Sequence, residues 1–343
     1  MADANKCSIN IVTGFLGSGK TTLLGDVLSD AAYAGTSVII NEYGEAGLDH
    51  RLIRRIEERT TLLAGGCVCC NRREDLITEL NDMLNAHQSG KLPLDRVVIE
   101  TTGLADPAPI LFSILTHPIL IHHYRVETVT ACLDAVNGET HLTGNPESVK
   151  QIAAADKVII TKTDISTPEK VKRLRSRVAR INPTAQILKS IRGHIPASVL
   201  WNTRPSMPPR PVILPNLLLN ETNSDGHATS IRSMSLQFTE PLDWLAFGIW
   251  LSMLLQKHGE KMFRVKGIVD VGEGGPIVLN GVQHIIHPPR HLEDWKGYET
   301  RASQIVFIMR DIEPGQIMES LFAFQSLIGA KPEISEINMN PFV

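Results

Sequence analysis

Eight residues near the start of the chain, Gly14-Phe15-Leu16-Gly17-Ser18-Gly19-Lys20-Thr21, meet every specified position of the pattern G-x-x-x-x-G-K-[ST]. An apolar run, Ser8 to Thr13, leads in, and a helical stretch, Thr22 to Leu28, leads out. Glycines in such a loop let backbone N–H groups turn inward around phosphate oxygens, and the helix beginning near Lys20 adds the positive end of its dipole. Read as a P-loop, the stretch assigns Gly14, Gly17, Ser18, Gly19, Lys20, Thr21 and Thr22 to nucleotide binding. Lys20 is expected to reach the β and γ phosphates and the Thr21 hydroxyl to ligate Mg²⁺. A strand, this loop and a helix in succession predict an α/β domain with a mostly parallel sheet and flanking helices.

Three further segments suit loops at the C-terminal ends of strands in such a sheet, where ligands bind. Ser37 to Asn41 is apolar and strand-like, and Asn41-Glu42-Tyr43-Gly44-Glu45 follows it as a candidate switch loop. Arg96 to Glu100 ends in Glu100-Thr101-Thr102-Gly103, which puts a carboxylate in the Walker B position. Glu100 then orders the hydration shell of Mg²⁺, and Gly103 lets a backbone N–H swing toward a γ-phosphate and away after hydrolysis. Val129 to Leu133 and Val158 to Thr161 add two strands, and the second ends in Thr161-Lys162-Thr163-Asp164. A carboxylate at Asp164 accepts two hydrogen bonds from guanine N1–H and its exocyclic amine, a pair that adenine does not offer.

Gly65-Gly66-Cys67-Val68-Cys69-Cys70 holds three of the five cysteines within four positions. Asn71-x-x-Glu74 follows as a capping box for a helix whose apolar face is Leu76, Ile77, Leu80, Met83 and Leu84. Thiols ahead of a helix N-terminus are acidified, and thiolate is the form that binds metal or attacks disulfides. Soft sulfur ligands favour Zn²⁺ or Cu(I), with Co²⁺, Ni²⁺ and Fe²⁺ also open on ligand type. Three thiolates leave one tetrahedral position free, which suits an ion that must leave; a closed structural zinc with a distant fourth ligand and a redox dithiol are the alternatives. Cys7 and Cys132 adjoin or lie within apolar runs and read as buried structural thiols.

These motifs, in this order and with the cysteines between the second and third, resemble the CobW-like metallochaperone family of P-loop GTPases. The resemblance implies a P-loop NTPase domain followed by a smaller α+β C-terminal domain. It implies GTP and Mg²⁺ as ligands, a metal, Zn²⁺ foremost with Co²⁺, Fe²⁺ or Ni²⁺ as alternatives, on Cys67, Cys69 and Cys70, and a client metalloprotein as partner. Glu100 carries the magnesium-linked role by match, Lys162 with Asp164 takes the base, and Glu42 and Glu45 enter the metal set, with His50 competing for it. Two departures stand out: Thr161 occupies a position where many GTPases have asparagine, and the histidine-rich loop of many relatives is missing. With no arginine finger identifiable, hydrolysis is expected to be slow without a partner. A GTP-regulated binding module with a structural zinc and no metal transfer is the rival reading. The motifs do not name the metal, the client or the oligomeric state.

The rest of the chain supports a two-domain organisation. Lys and Arg number 34 against 37 Asp and Glu, a net charge of −3, so the basic excess that nucleic-acid binding favours is missing. A polar N-terminus and the lack of a membrane-length apolar run predict a cytoplasmic protein with no membrane partner. Residues 1–204 form the expected GTPase domain, 205–230 a linker opened by Pro205, Pro208, Pro209, Pro211 and Pro215, and 231–343 the second domain. There the pattern reads strand (Met234 to Phe238), helix (Leu242 to Lys257), strands (Phe263 to Val271, Ile277 to His287, Gln304 to Arg310) and helix (Pro314 to Phe324). His117, His122 and His123, and likewise His284 and His287, read as packing or surface residues rather than ligands.

Overall fold

Strand β1, Cys7–Thr13, runs through the middle of the first sheet, with six of its seven residues buried. The computed structural model describes residues 6–29, 35–40, 60–62, 71–201, 231–298, 300–327 and 334–341. The chain divides into two compact units, one made of residues 1–178 and 186–205, the other of 179–185 and 206–343. No helix among the described residues is long and apolar enough to cross a membrane.

Among the described residues the first unit's sheet has seven strands: β1, β2 (Thr36–Ile40), β3 (Thr60–Leu62), β4 (Arg96–Glu100), β5 (Tyr124–Asp134), β6 (Lys157–Thr161) and β7 (Gln186–Lys189). Their order is β3-β2-β4-β1-β5-β6-β7, and every pair is parallel. Parallel strands need crossovers, and the apolar runs of β2, β4 and β6 are what a strand covered on both faces requires. Among the described residues the helices are α1 (Lys20–Leu28), α2 (Asn71–Gln88), α3 (Ala108–Thr116), α4 (Leu120–His123), α5 (Gly138–Gly144), α6 (Pro146–Ala154), α7 (Pro168–Ile181) and α8 (Ala197–Trp201). Leu23, Leu24 and Val27 of α1 bury against Val12, Val98, Cys132 and Ile159, with Leu200 and Trp201 in the same cluster. The order reverses around β1, which pairs β4 on one side and β5 on the other, so the loop after β1 emerges at a topological switch point.

Cys132 is buried and its thiol is pushed up to about 12 by burial, as a packing thiol should be. Lys157 is a buried cation at the start of β6, donating to Val199 O at 2.7 Å and Leu200 O at 2.9 Å at the end of α8. Burial lowers its pKa to about 8. The unfolded chain therefore holds this proton up to about pH 10.4, above the folded value, and folding gains as pH rises from 8 toward 10. Lys157→Met should abolish that gain: the urea midpoint of the native protein should climb relative to the variant's between pH 8 and 10. A constant difference would mean that Lys157 does not titrate in this way.

The second unit is an antiparallel sheet in the order β11-β10-β9-β13-β8-β14, with β12 also on β10. Its strands are β8 (Ile231–Phe238), β9 (Met262–Val269), β10 (Ile277–Val282), β11 (Ile285–Ile286), β12 (Arg290–His291), β13 (Ser303–Arg310) and β14 (Ile334–Pro341). Helix α9 (Trp244–His258) is capped by Asp243, whose Oδ1 accepts from Ala246 N at 2.8 Å, and α10 is Pro314–Leu327. Trp250, Phe247, Leu251 and Leu255 of α9 pack with Phe307, Met234, Leu236 and Val265 of the sheet. Ile277 to His287 is a hairpin and not the single strand expected: Val282 pairs with Ile285, and Gln283 takes a left-handed φ of 54°. The turn itself is Gln283-His284, while Asn280-Gly281, the pair that usually marks a hairpin turn, lies within β10.

Candidate functional site

The loop between β1 and α1 has the backbone that a phosphate cradle needs. Gly14 sits at φ 139°, and a Cβ there would meet the Cys132 backbone and lie 2.8 Å from Ser18 Oγ, so only glycine fits. Gly17 and Gly19 also take positive φ, and Ser18 N donates to Phe15 O at 3.1 Å to close the turn. Gly19 is the N-cap of α1 without a side-chain acceptor, and no acidic residue occupies the first turn, which keeps its N–H groups and dipole available to an anion. Ser18 Oγ is buried and has no hydrogen-bond partner among the described residues. A phosphate oxygen is the kind of acceptor this arrangement accommodates.

Lys20 is buried and lies back along the loop, donating from Nζ to Gly14 O at 2.9 Å and Phe15 O at 3.3 Å. Thr21 Oγ1 donates to Glu100 Oε1 at 2.7 Å, joining α1 to the end of β4. The hydroxyl and carboxylate expected at Mg²⁺ are therefore neighbours, and both are hard oxygen donors of the type this ion takes. One residue on, Thr101 N donates to Val12 O and Thr101 Oγ1 to Thr13 Oγ1, fixing the exit of β4 against the entry to the glycine loop. Gly103 comes so close to the loop that a Cβ on it would stand 2.6 Å from Leu16 N.

At the end of β6, Lys162 adopts a left-handed φ of 54°, and its Nζ lies 2.8 Å from Asp134 Oδ2. Burial on its own pushes the Asp134 carboxyl up, but hydrogen bonds from Lys162 and Val136 N–H overcome this and hold it below the usual carboxylate range. Thr161 Oγ1 donates to Ser18 O at 2.7 Å, so the residue standing in place of asparagine ties this loop to the glycine loop. Asp164 Oδ1 accepts from Arg192 N at 3.3 Å.

Two contributors escaped the sequence reading. The turn Ser190–His194, with Arg192 and Gly193 both at positive φ, borders Asp164, and Thr163 Oγ1 donates to Ser190 O at 2.8 Å. Gly193 and Pro196 after a short strand were its only sequence signal. His141 on α5 places its ring 4.6 Å from that of Phe15, tilted by 46°, and nothing in the sequence joined them.

Glu42, Glu45, His50, Cys67, Cys69 and Cys70 lie outside the described residues. Strand β3, which precedes the cysteine stretch, is parallel to β2, and α2 begins at Asn71, directly after Cys70. The parallel register makes β3 end at the same edge of the sheet as β1, β4 and β6. Among the described residues no three His, Cys, Asp or Glu side chains converge as a metal site. His117 instead accepts from Ile119 N and Leu120 N through Nδ1, and His122 and His123 are exposed.

Residues 8–189 match the family described as CobW/HypB/UreG, nucleotide-binding domain, and residues 231–325 the cobalamin synthesis protein cobW C-terminal domain. The chain is 31% identical to the zinc chaperone YjiA of Escherichia coli over 312 residues, covering 89% of this chain and 94% of that protein. It is 27% identical to the zinc chaperone CobW of Pseudomonas aeruginosa over 361 residues, or 92% and 91% of the two. The crystal structure of Zn(II)-bound YjiA GTPase superposes with a TM-score of 0.68 at 26% identity, covering 93% of this chain and 99% of that one. With both domain matches in sequence order and a whole-length structural match behind them, the chain belongs to the CobW-like family of P-loop GTPases.

Proposed function

We propose that this protein is a GTP-dependent zinc metallochaperone, which couples GTP binding and hydrolysis to the transfer of a metal ion to a client metalloprotein in the cytoplasm. The observation that carries the reading is the shared sheet edge: the strand before Cys67, Cys69 and Cys70 ends at the same edge of the sheet as the strands that bear the glycine loop and the Glu100–Gly103 turn. Only β2 and β4 stand between β3 and β1, about 14 Å at the usual strand spacing. Relatives named as zinc chaperones support zinc as the cargo.

In this reading Gly14, Gly17, Ser18, Gly19 and Thr22 hold the phosphates, and Lys20 leaves Gly14 O and Phe15 O for the β and γ oxygens. Thr21 and Glu100 would hold Mg²⁺, which would supply positive charge to offset that of the phosphates. Gly103 follows the γ-phosphate, while Lys162 and Asp164 select guanine. Cys67, Cys69 and Cys70, with Glu42 and Glu45, carry the metal ion as cargo. Residues 1–204 hold both sites, 205–230 act as linker, and 231–343 form the second domain.

Reciprocal linkage follows, since a nucleotide that alters metal affinity must have its own affinity altered equally. Zn²⁺ affinity measured with a GTP analogue, with GDP and without nucleotide should differ between states by about 5- to 150-fold. Equal affinities in all three states would defeat the coupling.

A further inference from the structure

Helix α6 carries a polar side chain that the phosphate and base motifs leave unexplained. Gln151 is 1% exposed, among the buried Val149, Ile152, Ala153 and Ala154 of the same helix. Its Nε2 donates to Gly103 O at 3.1 Å and to Ala105 O at 3.0 Å. Both partners are carbonyls, so only the NH₂ end of the amide fits there. Oε1 is buried with no hydrogen-bond partner among the described residues, so the arrangement keeps both donors on the turn and leaves the acceptor unmet.

The turn is held from the other side as well. Ala105 N donates to Thr102 O at 3.1 Å, and Gly103 packs against the backbone of Leu16 in the glycine loop. One residue before Gln151, Lys150 Nζ stands 3.8 Å from Asp106 Oδ2. Two successive side chains of α6 thus grip residues 103 to 106 while the glycine loop backs Gly103.

We infer that Gln151 is a positioning residue for the nucleotide response of the Gly103 turn: it sets the distance of Gly103 from the glycine loop, and with it the discrimination between a tri- and a diphosphate. The inference rests on the GTPase reading of the site. Gln151 bonds the turn and acts through Gly103.

The test compares the full-length native protein with Gln151→Leu, which removes both donors at similar volume, and Gln151→Glu, which sets a carboxylate against the two carbonyls. GDP affinity should stay within about 2-fold, while affinity for a non-hydrolysable GTP analogue and the hydrolysis rate should fall about 10-fold or more in both variants. Unchanged analogue-to-GDP ratios in folded variants would overturn the inference. So would parallel weakening of both nucleotides, which marks mere structural support. Should either variant fail to fold, hydrogen exchange of the native amides at 102–106 decides: it should differ between GDP and the analogue, and identical exchange overturns the inference. A native protein that binds neither nucleotide defeats the GTPase reading itself. A native protein that discriminates, alongside variants that discriminate equally, defeats only the role of Gln151.

Discussion

Lys20→Ala should lower GTP hydrolysis by about 100- to 1000-fold while leaving unchanged the nucleotide-free zinc affinity proposed for the cysteines, because a single preorganised donor to a developing oxyanion is worth about that much. The Lys20 ammonium already sits inside the loop on Gly14 O and Phe15 O, so reaching a phosphate means exchanging two carbonyl partners for anionic oxygens a short distance away. Lys20→Arg should restore little, since a planar guanidinium needs more room than an ammonium in a loop this tightly closed. Single-turnover hydrolysis and zinc titration on the same preparations check both halves. Retention of a tenth or more of native hydrolysis would refute the assignment of Lys20. The variant leaves two carbonyls of the loop without this donor, so its melting temperature should be compared in parallel.

The second large effect concerns the base. Asp164→Ala should reduce the preference for GTP over ATP by about 100-fold or more, because two hydrogen bonds to a charged acceptor are lost together, each worth about 1.5–3 kcal/mol. The loop is otherwise held in place by contacts that do not involve Asp164: Thr161 Oγ1 to Ser18 O, Lys162 to Asp134, and Thr163 Oγ1 to Ser190 O. The variant should therefore fold and keep its phosphate contacts, so that ATP affinity moves little and GTP affinity falls toward it. Competition between the two nucleotides measures the ratio directly. A ratio unchanged from the native protein would place base selection elsewhere, with the Ser190–His194 turn the first region to test.

Much of this site was legible because its chemistry is local. Gly14 to Thr21 sets its own backbone, and Glu100 and Thr161 each end an apolar run whose strand character needs no partner to be recognised. What escaped depends on residues far apart in sequence. Thr161 stands where many GTPases have asparagine, and its hydroxyl bonds the glycine loop 143 positions away. Gln151 belongs to no motif, and its amide lies on Gly103 and Ala105, 48 and 46 positions earlier. Strands β3, β7 and β14 are short or lie at sheet edges, where weak alternation hides them from periodicity.

The sequence alone determined which chemistry is present: a phosphate loop, a carboxylate after one strand, a second after another, and three thiols before a helix. These follow from residue type and spacing within a few positions, where steric preference and hydrogen-bond capacity act directly. The tertiary structure decided the neighbours. It placed Thr21 on Glu100, Thr161 on Ser18 and Gln151 on the Gly103 turn, and it aligned the strand before the cysteines with the same sheet edge. Strand order and helix packing depend on the burial of the whole core, which no single segment encodes.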